Sequence, residues 1–135
     1  MENFFEMQFT LAQVNAMSNL ALALMGDGVY EVLCRAYLCC RGDKTVQRLH
    51  QDTVQLVKAP TQARLMERIK PHLTPEETDF FRRGKNTHTH AAPKSATPKE
   101  YAAATGLETL FGALYLLGRR DRLNELFAIM MEEEN

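Results

Sequence analysis

Hydrophobic residues recur along this chain at the spacing of helix faces, whereas the strict alternation typical of strands is almost absent. The longest apolar segment is residues 19–40, "NLALALMGDGVYEVLCRAYLCC", in which apolar side chains fall on most sides of a helix. Ser18 suits its N-cap and Gly42 suits its end. Because a helix of this kind is usually covered by neighbours all round, the segment is predicted to form the central helix of the domain.

Further helices are predicted at about residues 44–57, 60–70, 75–84, 98–118 and 119–131. Two of them begin with the same signal, a Thr cap followed by Pro and by Glu at the third helical position. These two signals are "TPEE" from Thr74 and "TPKE" from Thr97. Gly84 is predicted to end the first of the two helices and Gly118 the second.

Length and composition fit one globular domain, since 45% of the 135 residues are hydrophobic and 24% are charged. We therefore expect a single all-α domain of about five to seven helices over residues 1–135. Residues 1–17 would be its N-terminal segment and residues 132–135 an acidic tail. The start, "MENFFEMQF", lacks the apolar core of an export signal, and no apolar run approaches the roughly 20 residues that span a bilayer.

The three cysteines, Cys34, Cys39 and Cys40, are odd in number, and none forms a CxxC pair. This argues against a disulfide framework or a zinc site, and it leads us to expect a reducing cytoplasm. The formal net charge is −1. Any nucleic-acid site must therefore be a local basic patch.

Two acids stand in apolar helical segments. Asp27 lies between Gly26 and Gly28, and Glu108 lies in "ATGLETLFGALYLL", where no cation stands one helical turn away. A buried carboxylate is costly unless a partner compensates it. Each acid could meet a distant Arg or Lys or cap a neighbouring helix, or both could converge on a divalent cation. Mg²⁺ suits such a pair because it takes oxygen ligands and keeps several waters.

One turn after Asp27, Glu31 faces roughly the same way and has Arg35 four residues further on. It is either a third metal ligand or the partner of that arginine in a salt bridge, and the sequence slightly favours the salt bridge. The alternating histidines His88 and His90 are weak evidence for a metal site, because no Cys or further His is nearby.

The densest positive region of the chain is "FFRRGKNTHTHAAPK". Residue types that contact phosphates are concentrated there, namely Arg82, Arg83, Lys85, Asn86, His88 and Lys94. The alternative is an ordinary helix end, where solvated Arg and Lys complement the helix dipole.

Three segments together resemble the Mini-ribonuclease III family: "LMGDGVYE", "FFRRGKN" and "ATGLETLFGALYLLGR". Their order along the chain and the length of the chain also fit this family. These are short bacterial-type ribonuclease III domains without a separate double-stranded-RNA-binding domain. The resemblance extends from about Asn19 to Met131, and the combination of the three segments makes it specific. In this resemblance Asp27 stands at the position of the family's motif Asp, and Glu108 stands at that of its motif Glu. The resemblance therefore implies that both are catalytic residues and metal ligands.

The resemblance also implies an all-α homodimer with a cleft for duplex RNA. It implies hydrolysis of phosphodiesters that depends on Mg²⁺, with Mn²⁺ as a substitute, and leaves 5′-phosphate and 3′-hydroxyl ends. The usual substrate of the family is the precursor of 23S ribosomal RNA, which a ribosomal protein or particle could present. The basic residues around Arg82 would grip the RNA backbone.

Two departures from full-length ribonuclease III enzymes matter. Those enzymes carry a Glu four residues before the motif Asp and an Asp three residues before the motif Glu, where this chain has Ala23 and Thr105. Mini-type members resemble this chain in lacking both. A catalytically silent module that binds structured RNA therefore stays open as an alternative, as does a purely structural helical protein.

Overall fold

Seven α-helices form nearly all the regular structure of the computed structural model, which describes residues 1–87 and 94–132. They are α1 (Leu11–Ala16), α2 (Asn19–Cys39), α3 (Val46–Val57), α4 (Ala59–Ile69), α5 (Pro75–Lys85), α6 (Pro98–Leu116) and α7 (Arg120–Met131). Single 3₁₀ turns occur at Phe4–Glu6 and Lys70–His72. The described residues contain no strand, so the all-α prediction is confirmed.

The start signals of α5 and α6 behave as predicted. The hydroxyls of Thr74 and Thr97 each accept a hydrogen bond from the backbone N–H three residues on, and the Glu at that position accepts one from the backbone N–H of the Thr in return. Such capping boxes satisfy two donors that a helix start leaves free. A capping box with Gln13 at the third position begins at Thr10 the short helix α1, which the hydrophobic pattern did not predict.

Gly84 does not end α5, and this prediction was wrong. The helix continues to Lys85, and Gly84 is buried against α6. A Cβ at this position would lie 2.2 Å from the hydroxyl oxygen of Thr109 and 2.9 Å from the carbonyl oxygen of Thr105. The glycine therefore permits the close approach of two helices. By contrast, Gly118 follows the end of α6 with a positive φ of 77°, as a terminating glycine should.

The central helix is α6, which packs against α2, α4, α5 and α7 and is buried along most of its length from Ala104 to Leu116. The expectation that α2 is covered all round was wrong. One face of α2 stays open, with Leu20, Leu24 and Val32 exposed to 49%, 77% and 66%. Local periodicity marks which residues are apolar, but only tertiary packing decides which of them are covered.

Tyr30, a buried residue of α2, contacts several neighbouring elements of the core. The Tyr30 hydroxyl donates to the carbonyl oxygen of Leu56 at 2.8 Å, and its ring meets Phe111 and Phe127 edge-on. All three cysteines are free thiols. Burial raises the pKa of the Cys34 thiol to about 12, so it behaves as a packing residue. No helix among the described residues is long and apolar enough to cross a membrane.

Candidate active site

The structure brings the side chains of Asp27 and Glu108 together. Asp27 stands midway along α2 and Glu108 midway along α6, and their carboxyl groups lie within hydrogen-bonding reach of each other. Glu108 is partly buried, whereas Asp27 is exposed. The expectation of a buried Asp27 was therefore wrong, because this residue borders the open face of α2. The pair lies at the surface, where solvent or a ligand can reach it.

The two glycines beside Asp27 differ in role. A Cβ at Gly26 would lie 1.6 Å from the backbone carbonyl oxygen of Glu108, so the backbones of α2 and α6 touch here. Gly28 has nothing within 4 Å of the Cβ position. Gly26 thus serves helix packing, and only Gly28 leaves open space beside the acid.

The pKa of Glu108 is raised to about 8. Burial is the largest cause, followed by the hydrogen bond and the negative charge of Asp27, and an amide hydrogen bond from Gln62 opposes them. None of these groups is a cation, so an ion pair does not account for Glu108. Near neutral pH the Glu108 carboxyl group therefore retains its proton.

The hydrophobic pattern did not single out Gln62, although a signal was present. Gln62 shares one face of α4 with Leu65, Met66 and Ile69, all of them buried, and is itself 3% exposed. Its Nε2 donates to the carbonyl oxygen of Val57 at 2.8 Å. Among the described residues no group donates to its Oε1. A buried acceptor without a donor costs about 1–3 kcal/mol, so a polar side chain on an apolar helix face indicates a specific role.

Glu31 forms a salt bridge with Arg35 at 2.9 Å, with both side chains well exposed. The structure thus shows the alternative that the sequence slightly favoured. Ala23 is 8% exposed and offers no ligand atom, while the Thr105 hydroxyl donates to the carbonyl oxygen of Tyr101 at 3.0 Å. Within the described residues no cluster of three or more His, Cys, Asp or Glu could hold a metal ion. The acids available at the site are therefore Asp27 and Glu108.

The end of α5 presents the basic residues. The exposed ones are Arg82, Lys85, Asn86 and Lys94. His88 lies outside the described residues. Arg83 differs because its Nε donates to the Oδ1 of Asn19 at 3.1 Å. Its Nη1 also donates to Asn15 at 3.0 Å. Arg83 thus joins α5 to the first helices, and its charge is partly engaged.

Comparisons with known proteins identify the family of this chain. A family model described as the ribonuclease III domain matches residues 20–119. The chain is 45% identical over 116 residues to the Mini-ribonuclease 3 of Symbiobacterium thermophilum, covering 86% of this chain and 89% of that protein. It is 38% identical over 129 residues to the Mini-ribonuclease 3 of Clostridium tetani, covering 95% and 85%.

A crystal structure of a protein from Fusobacterium nucleatum superposes on this fold with a TM-score of 0.81 and 29% identity, covering 91% of this chain and 98% of that chain. The helical fold and the matched family model define a ribonuclease III domain. Within that class, the chain belongs to the Mini-ribonuclease 3 family. The protein is accordingly an endoribonuclease, as the sequence resemblance implied.

The pKa of Glu108 predicts how stability depends on pH in EDTA. The folded state holds a proton up to about pH 8, while the unfolded carboxyl loses it near 4.5. Unfolding therefore releases a proton between these values, and the contribution of Glu108 to the free energy of unfolding falls as pH rises. Glu108→Gln keeps a donor to Asp27 without a charge. We expect it to exceed wild-type stability by up to about 4 kcal/mol at pH 8, with little difference at pH 4.5.

Urea denaturation from pH 4.5 to pH 9 measures this difference. Glu31→Gln is the matched control, since Glu31 is the exposed partner of Arg35. A stability difference between Glu108→Gln and wild type that stays constant with pH would contradict the assignment.

Proposed function

We propose that this protein is a Mg²⁺-dependent endoribonuclease that cleaves double-stranded RNA and acts as a cytoplasmic homodimer. We propose the precursor of 23S ribosomal RNA as its substrate, presented by a ribosomal protein or particle, with 5′-phosphate and 3′-hydroxyl product ends. The observation that carries this proposal is the facing carboxyl pair of Asp27 and Glu108 on two packed helices. Family membership indicates the type of reaction, and the carboxyl pair indicates where in the protein the reaction would occur.

The residues at this site fit a divalent cation. Mg²⁺ is commonly held by one or two carboxylates and keeps several waters, and Mn²⁺ accepts the same oxygen ligands. Asp27 and Glu108 would hold the ion, and we leave Glu31 to its salt bridge with Arg35. When bound, the cation supplies a water of lowered pKa as nucleophile and offsets charge on the phosphate.

The exposed end of α5 would position the RNA. Arg82, Lys85 and Asn86 can donate to phosphate oxygens, with Lys94 and His88 following in the chain. Such contacts fix the register of a duplex without reading its sequence, which suits RNA recognised by shape. Arg83 would contribute mainly by holding α5 against Asn19.

The open face of α2 supports the homodimer. Leu20, Leu24, Gly28 and Val32 recur every fourth residue and form an exposed stripe along the helix. Beside it lies a groove of about 520 Å³ that is lined by Phe5, Met25, Gly28, Val32, Leu33 and Tyr115, among others. An apolar surface of this kind marks an interaction site, and a two-fold interface places the same stripe on both subunits. Since Asp27 borders the stripe, each subunit's acid pair would flank the interface.

Substitution of either acid tests the catalytic assignment. Asp27→Asn and Glu108→Gln should lower the rate of cleavage of a long RNA duplex by about 100-fold or more, because a bound metal contributes several kcal/mol to transition-state stabilisation. Both variants should remain folded and bind the duplex. Single-turnover assays with Mg²⁺ and with EDTA measure the effect, and Glu31→Gln is the control that should stay active. Near-normal cleavage by Asp27→Asn would refute the assignment, and an inactive wild type would favour the silent RNA-binding module.

The salt dependence of binding tests the RNA interface. Replacing Arg82 and Lys85 with Ala should weaken duplex binding and reduce the slope of log K against log salt by about one unit for each phosphate that the variant no longer binds. The matched control replaces Arg41 and Lys44, which lie beyond the opposite end of α2, about 30 Å from Asn19 along that helix. If the two double variants show the same slope, the end of α5 does not bind RNA.

A charge in the stripe tests the dimer. Leu24→Glu places a carboxylate on a side chain that is 77% exposed in the single chain, so the fold should tolerate it while the interface does not. Analytical ultracentrifugation should show a dimer for wild type and a monomer for this variant. Val46→Asp is the control, because Val46 is 83% exposed at the start of α3, where an acid is favourable. Dimerisation of Leu24→Glu at wild-type affinity would exclude this face.

A further inference from the structure

The amide of Gln62 is held in one orientation by the backbone carbonyl oxygen of Val57. One hydrogen of Nε2 is donated to the Val57 carbonyl oxygen at 2.8 Å. The amide also lies near the Glu108 carboxyl group, whose pKa it lowers. Exchanging the oxygen and nitrogen positions would point Oε1 at the Val57 carbonyl oxygen, and two acceptors would face each other.

Oε1 is therefore the remaining acceptor of this side chain. It belongs to the same planar amide that contacts Glu108, and among the described residues no group donates to it. Gln62 is 3% exposed, so bulk solvent does not satisfy it either. Buried polar atoms in native proteins nearly always have a partner, and an orphan of this kind beside a carboxyl pair indicates a ligand at that pair.

We propose that Gln62 is a positioning residue of the divalent-cation site. Its N–H orients the Glu108 carboxylate, and its Oε1 accepts a hydrogen bond from a water of the hydrated cation. The inference rests on the metal site proposed for Asp27 and Glu108. Gln62 supplies a neutral oxygen at a site that has only two acids, so it adds an acceptor without adding to the repulsion between carboxylates.

Metal binding without RNA tests the role separately from catalysis. Gln62→Met keeps an unbranched side chain of similar size but removes both amide groups. We expect it to weaken Mn²⁺ binding by about 10- to 100-fold, as the loss of residues that orient metal ligands commonly does. Isothermal titration with Mn²⁺, together with the rise in melting temperature on Mn²⁺ addition, measures this.

Thr53→Val is the matched control. Thr53 is also a buried polar residue, but its hydroxyl donates to the Leu49 carbonyl within α3. It should lower the melting temperature in EDTA and leave Mn²⁺ affinity unchanged. Gln62→Met should instead lower the Mn²⁺ affinity. If Gln62→Met binds Mn²⁺ as wild type does, Gln62 has only a structural role and the proposal fails, whereas the metal site stands.

Gln62→Glu gives an independent test, because its effect on Mn²⁺ affinity should differ from that of Gln62→Met. It retains an oxygen acceptor and adds a carboxylate, so it should destabilise the metal-free protein and bind Mn²⁺ at least tenfold more tightly than Gln62→Met. If Gln62→Met does not fold, Gln62→Leu replaces it as the apolar variant in this comparison. If Gln62→Glu binds Mn²⁺ no more tightly than the apolar variant does, the proposal fails. Absence of Mn²⁺ binding by wild type overturns the metal site itself and this inference with it.

Discussion

The direct contact between the backbones of α2 and α6 is the constraint on which the rest of the structure depends. A Cβ on Gly26 would lie 1.6 Å from the carbonyl oxygen of Glu108, and a Cβ on Gly112 would lie 1.9 Å from that of Leu22. Each helix therefore has one glycine in contact with the backbone of the other helix, and there is no room for a side chain between the two backbones. Asp27 directly follows Gly26, and Glu108 provides the contacted carbonyl. The packing of the two backbones thus brings the two carboxyl groups together.

Such an arrangement is unfavourable for the isolated fold. Burial and the nearby Asp27 raise the pKa of Glu108 to about 8, and the oxygen of Gln62 has no donor among the described residues. Each feature lowers the stability of the folded chain, and a bound cation would reverse both. Polar groups that disfavour the isolated state and favour a ligand are the usual signature of a binding site. The large apolar core around α6 keeps the fold stable despite them.

Local chemistry made much of the fold predictable. The capping boxes at Thr74 and Thr97 depend only on neighbouring residues, and two acids within apolar helices are visible as exceptions to the pattern. What failed depended on distant partners. Gly84 has the form of a helix end, yet it lies within α5, at a point where Thr109 leaves no room for a Cβ. Gln62 and the open face of α2 were missed since periodicity does not reveal which neighbour covers a given side.

One rigid helix aligns the three surfaces that the proposed function needs. At its first residue, α2 holds the end of α5 through the pairing of Asn19 with Arg83. Asp27 stands eight residues on, roughly 12 Å along the axis. The stripe through Leu24 runs beside it on the open face. Because an α-helix is stiff over this length, the separation between basic surface, acid pair and apolar stripe is fixed by the chain itself. In a dimer built on that stripe, two acid pairs and two basic ends would be held in register for a duplex.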